Sequence, residues 1–316
     1  MLIAGMTACV AQEPFISSQI GEYTITIYRN SYFPLDQPII NELKMRVDSV
    51  DPQDGDVLGR LNESEVGELI PTGDIADTLG NLLDYSAQTY GAYDPTAQIL
   101  WDVYDFDSGG RHVTASELED TLEWVDYRQV EMEGDSILRK TEHTRIGFGP
   151  ALPGAIADWT AELVRQSTDF PTLVSVDHVC TVIGRFRDND PVWEFLYPLD
   201  PPSADSIQLS MGFIRLEPGE CLAAVDDDEG LFFSRGNVYH MILSPVTGLP
   251  ADEVRAAVVV TDESCLKASV FAYALMVMGV DRSMEFLDET DGVEGLILDQ
   301  DHELHVSGGL GERFWR

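Results

Sequence analysis

The segment from Val238 to Gly279 (VYHMILSPVTGLPADEVRAAVVVTDESCLKASVFAYALMVMG) restricts the fold more than any other. Its pattern predicts strand, turn, strand and helix in succession. Tyr239 to Leu243 is short and apolar, as a strand is. Ser244 to Pro250 is turn chemistry: Pro245 and Pro250 fix φ, and Gly248 permits a left-handed backbone. Arg255 to Thr261 is rich in β-branched residues and reads as a second strand. Asp262, Glu263 and Ser264 then open a helix, with acids beside its positive end. Cys265, Ala268, Phe271, Ala272, Leu275 and Met276 fall at helical spacing on one face, and Gly279 is a natural stop.

The chain around this segment has 316 residues, 44% of them hydrophobic, enough for one large core. No internal run reaches the roughly 18 apolar residues that span a bilayer, so a soluble body is expected. Acids outnumber bases 56 to 19, a formal net charge of −37, which repels phosphate and argues against a nucleic-acid partner. The acids are dispersed and lysine occurs only at 44, 140 and 267. That composition fits a protein adapted to high salt, where screening weakens self-repulsion; an ordinary acidic protein is the alternative.

The four cysteines are Cys9, Cys180, Cys221 and Cys265. None forms a C-x-x-C pair, which argues against zinc. Cys180 and Cys265 lie in apolar elements and are expected to be buried thiols. Cys9 follows small and apolar residues (LIAGMTAC), as in the lipobox of an exported lipoprotein, although no basic region precedes it. A lipid anchor at Cys9 and a chance apolar N-terminus both remain open. The anchor implies an extracytoplasmic, envelope location; without it the protein is cytoplasmic.

Residues 10–21 read as a tether, so residues 1–21 form a signal-like N-terminus and 22–316 a single domain. Tyr23 to Arg29 alternates as a strand, and residues 38–50 and 74–85 carry helical spacing. Thr89 to Trp101 reads as a buried aromatic loop, broken at Gly91 and turned at Asp94-Pro95. Residues 102–116 read as a polar insertion. Tyr127 to Val130 and Ser136 to Leu138 are expected strands. Gly147 to Gly154 is rich in Gly and Pro and leads into a helix from Ala155 to Gln166. Thr172 to Gly184 and Ser206 to Leu216 follow as strand patterns. Asp226 to Gly230 is an acidic turn without the spaced ligands of a calcium loop. Residues 292–306 close the chain as a hairpin. The irregular order of strands and helices indicates an α+β fold with mixed or antiparallel sheets flanked by helices.

Three of these segments together resemble the FAD:protein FMN transferase (ApbE) family. Thr89 to Trp101 is similar to its T-x-G-A-F-D-P-T…L-W block, with Tyr93 for Phe, and Leu61-Asn62 stands at its upstream L-N. Gly147 to Asp158 occupies the place of its D-L-G-G-I-A-K-G-Y-A-V-D block. The opening segment resembles H-I-I-D-P-x-T-G-x-P followed by D-A-L-A-T-A-L-F-V-M-G. The resemblance implies one ApbE-like (T-fold-like) domain. It also implies FAD held with Mg²⁺, FMN passed to a Thr hydroxyl of a flavoprotein acceptor, and AMP leaving. Cofactor contacts then fall on Tyr93, Asp94, Thr96, Gly149, Leu152, Gly154, Ser244, Thr247 and Gly248.

Position by position, the family's metal-binding Asp falls on Ser269 and its Thr on Tyr273, with Leu152 left to offer a backbone carbonyl. The motif His falls on Met241, the Asp before Pro on Ser244, and the Lys on Pro153. A neutral hydroxyl is a poor substitute for a carboxylate on Mg²⁺. His240 is one residue from the motif position, and a one-residue slip points a strand side chain to the other face. It is the one catalytic candidate, read first as a surface or core-edge histidine. Two readings of function follow: an impaired member that binds flavin or a partner, or an active transferase with a rearranged site.

Overall fold

The computed structural model describes residues 15–29, 37–167, 169–186, 192–198, 208–228 and 230–315. Cys9 and the rest of the proposed signal lie outside the described residues. The chain is built on an eight-stranded sheet whose strands neighbour one another in chain order. They are β1 Phe15–Ile20, β2 Tyr23–Arg29, β3 Thr172–Val176, β4 Val179–Ile183, β5 Cys221–Asp226, β6 Val254–Thr261, β7 Val293–Asp299 and β8 Leu304–Val306. Every neighbouring pair is antiparallel. The long excursions between strands carry the helices α1 Gln37–Ser49, α2 Leu58–Glu63, α3 Ala76–Gln88, α4 Gln98–Tyr104, α5 Ala115–Leu122, α6 Leu152–Ser167, α7 Cys265–Met278 and α8 Val280–Glu289.

Both faces of the central strands are covered, which explains their near-continuous apolar sequence. Val259, Ala257, Ala223 and Cys221 face the helices, while Val258, Val260, Leu222 and Leu296 face a smaller layer with Ile214, Leu216 and Leu310. Helix α7 lies against β5 and β6 on one side and against α3, α6 and α8 on the other. It is therefore buried all round from Cys265 to Met276, rather than along the one face its apolar spacing suggests. Even Lys267 is only 5% exposed, its ammonium paired with Glu263 and set over the Phe271 ring at 5.2 Å. Ser264 caps the helix by accepting the Lys267 N–H, and Gly279, at φ +78°, ends it.

Several boundaries differ from the sequence reading. Phe15–Ile20, within the stretch read as a tether, pairs along β2 through a turn at Gly21, because β2 otherwise presents an open edge. The aromatic loop of residues 89–101 is helical from Gln98, started by the cap at Asp94. The polar insertion holds the end of α4 and the start of α5, whose Thr114–Glu117 capping box is complete. Residues 127–129 form a 3₁₀ turn, and the strand there runs Val130–Glu133. Residues 172–184 are two strands around a turn at Asp177, not one. The expected strand at Tyr239–Leu243 stops at Tyr239, since the Met241 carbonyl turns away to accept from the Trp101 indole. No described helix is long and apolar enough to cross a membrane.

Candidate functional site

The three family-like segments meet around Tyr273. The start of α6 comes from the Gly/Pro-rich run, and Gly154 packs directly on α7. A Cβ on Gly154 would stand 2.5 Å from the Cys265 carbonyl and from the Ser269 hydroxyl. One turn further along α6, the Asp158 carboxylate accepts the N–H groups of Cys265 and Leu266, the first two residues of α7, at 2.8 and 2.9 Å. A carboxylate there satisfies two orphan donors at the positive end of α7. Burial pushes the Asp158 carboxyl upward, and these hydrogen bonds oppose that shift.

Aromatic side chains close the space above Gly154. Tyr93 and Tyr273 are fully buried and meet edge to face at 5.5 Å, with Trp101 edge-on to Tyr273 at 6.4 Å. Their polar atoms are committed to backbone. The Tyr93 hydroxyl donates to the Phe148 carbonyl at 2.7 Å. The Tyr273 hydroxyl donates to the Leu243 carbonyl and accepts the Leu243 N–H, at 2.5 and 3.0 Å. Trp101 donates to the Met241 carbonyl at 2.9 Å, and Tyr104 to the Gly248 carbonyl at 2.9 Å. The turn of residues 240–250 is thus held down by three aromatic donors. Gly149, at φ +47°, lies against the Trp101 ring, where any Cβ would collide.

Asp94 and Thr96 face another way. The Asp94 carboxylate accepts the Thr96 N–H and hydroxyl and the Tyr127 N–H, and the Thr96 hydroxyl accepts the Asp126 N–H. Together they pin residues 126–127 to the start of α4. Asn62 does the same for the next segment, bonding both the N–H and the carbonyl of Ile146. Ser244 is half-buried and its hydroxyl accepts the Val246 and Thr247 N–H groups, while Thr247 is exposed. Leu152 is half-buried at the first position of α6.

The Ser269 hydroxyl is 1% exposed and has no hydrogen-bond partner. The donors at the family's ligand positions are therefore this hydroxyl, a tyrosine hydroxyl already shared between two backbone groups, and the Leu152 carbonyl. Mg²⁺ takes near-octahedral oxygen ligands with one or two carboxylates, and this set does not fit it. Among the described residues, acids, thiols and imidazoles converge at Asp158–Cys221–Cys265, next to Gly154 at the start of α7, and at Asp299–Glu303–His305. His240 is buried, its Nε2 2.9 Å from the Ala251 carbonyl and its Nδ1 without a partner. Burial lowers its pKa, and it lies just beyond the strand that ends at Tyr239, so the strand-face argument does not apply to it. Asp158 escaped the sequence reading as a site residue. Its place four residues after Gly154 on the same helix face was the available signal.

Comparison with known proteins gives the family and the fold. An FAD:protein FMN transferase of Vibrio cholerae is 28% identical over 200 residues, 62% of this chain and 58% of that protein. Another, of Treponema pallidum, is 35% identical over 83 residues, 26% of this chain and 23% of its own length. These matches span well under two thirds of either relative. The crystal structure of the ApbE protein from Thermotoga maritima superposes with a TM-score of 0.80. It covers 96% of this chain and 100% of its own at 19% identity, which establishes the common fold. Residues 21–297 match the profile of the ApbE family, and the chain belongs to that family.

Proposed function

We propose that this protein binds a flavin nucleotide, FAD being the first candidate, or a flavoprotein acceptor at the family's site, without metal-assisted FMN transfer. The observation that carries the reading is Tyr273. It stands where the family places a Thr, and its hydroxyl is closed onto both backbone groups of Leu243. The absence of a carboxylate at Ser269 and of an imidazole at Met241 acts in the same direction, because a neutral hydroxyl holds Mg²⁺ poorly and a thioether carries no proton. Ligand contact is assigned to the surface from Gly149 to Leu152 and from Ser244 to Gly248, where Ser244 and Thr247 retain exposure.

Titration with FAD in molar salt, with and without Mg²⁺, followed by incubation with a Thr-bearing acceptor, tests this. Binding is expected with no AMP and no covalent flavin. AMP release with any of Mg²⁺, Mn²⁺ or Ca²⁺ sinks the reading. AMP release together with covalent flavin on the acceptor would uphold the second one, an active transferase with a rearranged site. That alternative rests on the Ser269 hydroxyl, since a buried polar atom without a partner is what a bound group would satisfy. AMP without an acceptor product would instead indicate FAD pyrophosphate hydrolysis.

The same proposal places the protein in the cell envelope on a lipid at Cys9. Labelling with an alkyne fatty acid tests the anchor, with Cys9→Ala abolishing the signal. The dispersed negative charge is read as salt adaptation, with stability rising between 0.1 and 2 M KCl by roughly the screening of surface repulsion.

A further inference from the structure

We infer that Cys221 and Cys265 are a disulfide-forming pair that staples strand β5 to the first turn of α7. Their sulfurs lie 2.9 Å apart, and both residues are buried. Cys221 is the first residue of β5 and pairs with Thr261 of β6. Cys265 follows four residues later, after the β6–α7 turn has folded back over the sheet. Its backbone is fixed from the opposite side by Asp158. The two thiols are thus brought together by regular structure.

A soft metal ion is the competing occupant, and the geometry disfavours it. Two thiolates on a tetrahedral zinc, each at about 2.3 Å, stand about 3.8 Å apart. The observed separation is well inside that. Both Asp158 oxygens already accept backbone N–H groups. Closing 2.9 Å to a sulfur–sulfur bond of about 2.05 Å needs less movement than opening the pair around an ion. Cys180 is not a rival, because its side chain joins the core on the other face of the sheet.

The chemistry balances with an external small-molecule disulfide as oxidant. One cysteine thiolate attacks that disulfide and releases its first thiol. The second cysteine attacks the mixed disulfide and releases the other. Two electrons pass to the oxidant, which leaves as two thiols with the two protons. Burial holds the Cys265 thiol well above its ordinary range, so exchange belongs to folding, before α7 covers the pair. The inference is independent of any reading of the flavin site.

The full chain, unfolded in reductant and refolded in a glutathione redox buffer, provides the test. After acid quench, denaturation and alkylation, two of the four cysteines should resist modification, with a peptide joining 221 to 265. The link should persist in Cys180→Ala. Four alkylated cysteines, a different pairing, or loss of the link in that variant overturns the inference. The oxidised form should melt roughly 5–10 °C above the reduced one, the effect of closing a loop of this size. Equal melting temperatures would overturn the stapling role.

Discussion

Two of the family-like segments carry polar residues to similar depth and use them in opposite ways. Around Asp94, each buried polar group has found a partner: three donors converge on one carboxylate, and the Thr96 hydroxyl both donates and accepts. Around Ser269, a hydroxyl is left without one, and the neighbouring tyrosine has turned to the backbone. The first segment keeps its motif because the motif is scaffold. In the second, one buried hydroxyl has no partner and the tyrosine beside it is bonded to Leu243. Polar residues of two motifs that meet at one site can thus be satisfied to very different degrees.

The sharpest way to break this contrast is Asp94→Ala. It strands three buried donors and should cost about 3 kcal/mol. Urea unfolding at unchanged m-value measures it, and a loss under 1 kcal/mol would mean that the Asp94 cluster is not scaffold. Tyr273→Phe comes next, at about 2 kcal/mol, because the Leu243 N–H and carbonyl lose their buried partner. A neutral outcome would show that the turn of residues 240–250 is held by Trp101 and Tyr104 alone.

A smaller effect tests the acidic turn after β5. Burial, and then Asp226 and Asp227, push Asp228 up to about 6. An unfolded aspartate titrates near 3.9, so between about pH 4 and 6 the folded state binds more protons and stability falls as pH rises. Asp228→Asn should flatten that slope by no more than about 1 kcal/mol, since the group is only half-buried. An unchanged slope would assign the pH dependence to the overall charge. The smallest change is expected at Ser269→Ala, within about 0.5 kcal/mol of zero or slightly stabilising, because no hydrogen bond is lost. A loss of FAD binding in this variant would show instead that the Ser269 hydroxyl contacts the nucleotide.

Much of the fold was legible in local signals. Alternation found β2, turn residues found the bend at Ser244–Pro250, and Ser264 and Gly279 bounded α7 correctly. Boundaries moved where a distant partner decided them. Tyr239–Leu243 ends early because Trp101, 140 residues away, takes the Met241 carbonyl. The motifs name Met241, Ser269 and Tyr273 as candidate positions, and the structure sets Ser269 beside Gly154 and Tyr273 against Tyr93. Where Asp94 and Thr96 point was not legible, because a buried carboxylate looks the same in sequence whether it faces a ligand or a loop.

The sequence by itself determined the α+β class, with its sheets left as mixed or antiparallel, and the family, because periodicity, turn residues and motif order are local. Only the tertiary structure decided what each polar group bonds. Asp158 caps a helix 107 residues away, Tyr273 clasps Leu243 across 30, and Cys221 meets Cys265 across 44. Hydrogen bonds and sulfur contacts act over about 3 Å, so their partners are fixed only once the sheet and helices have packed.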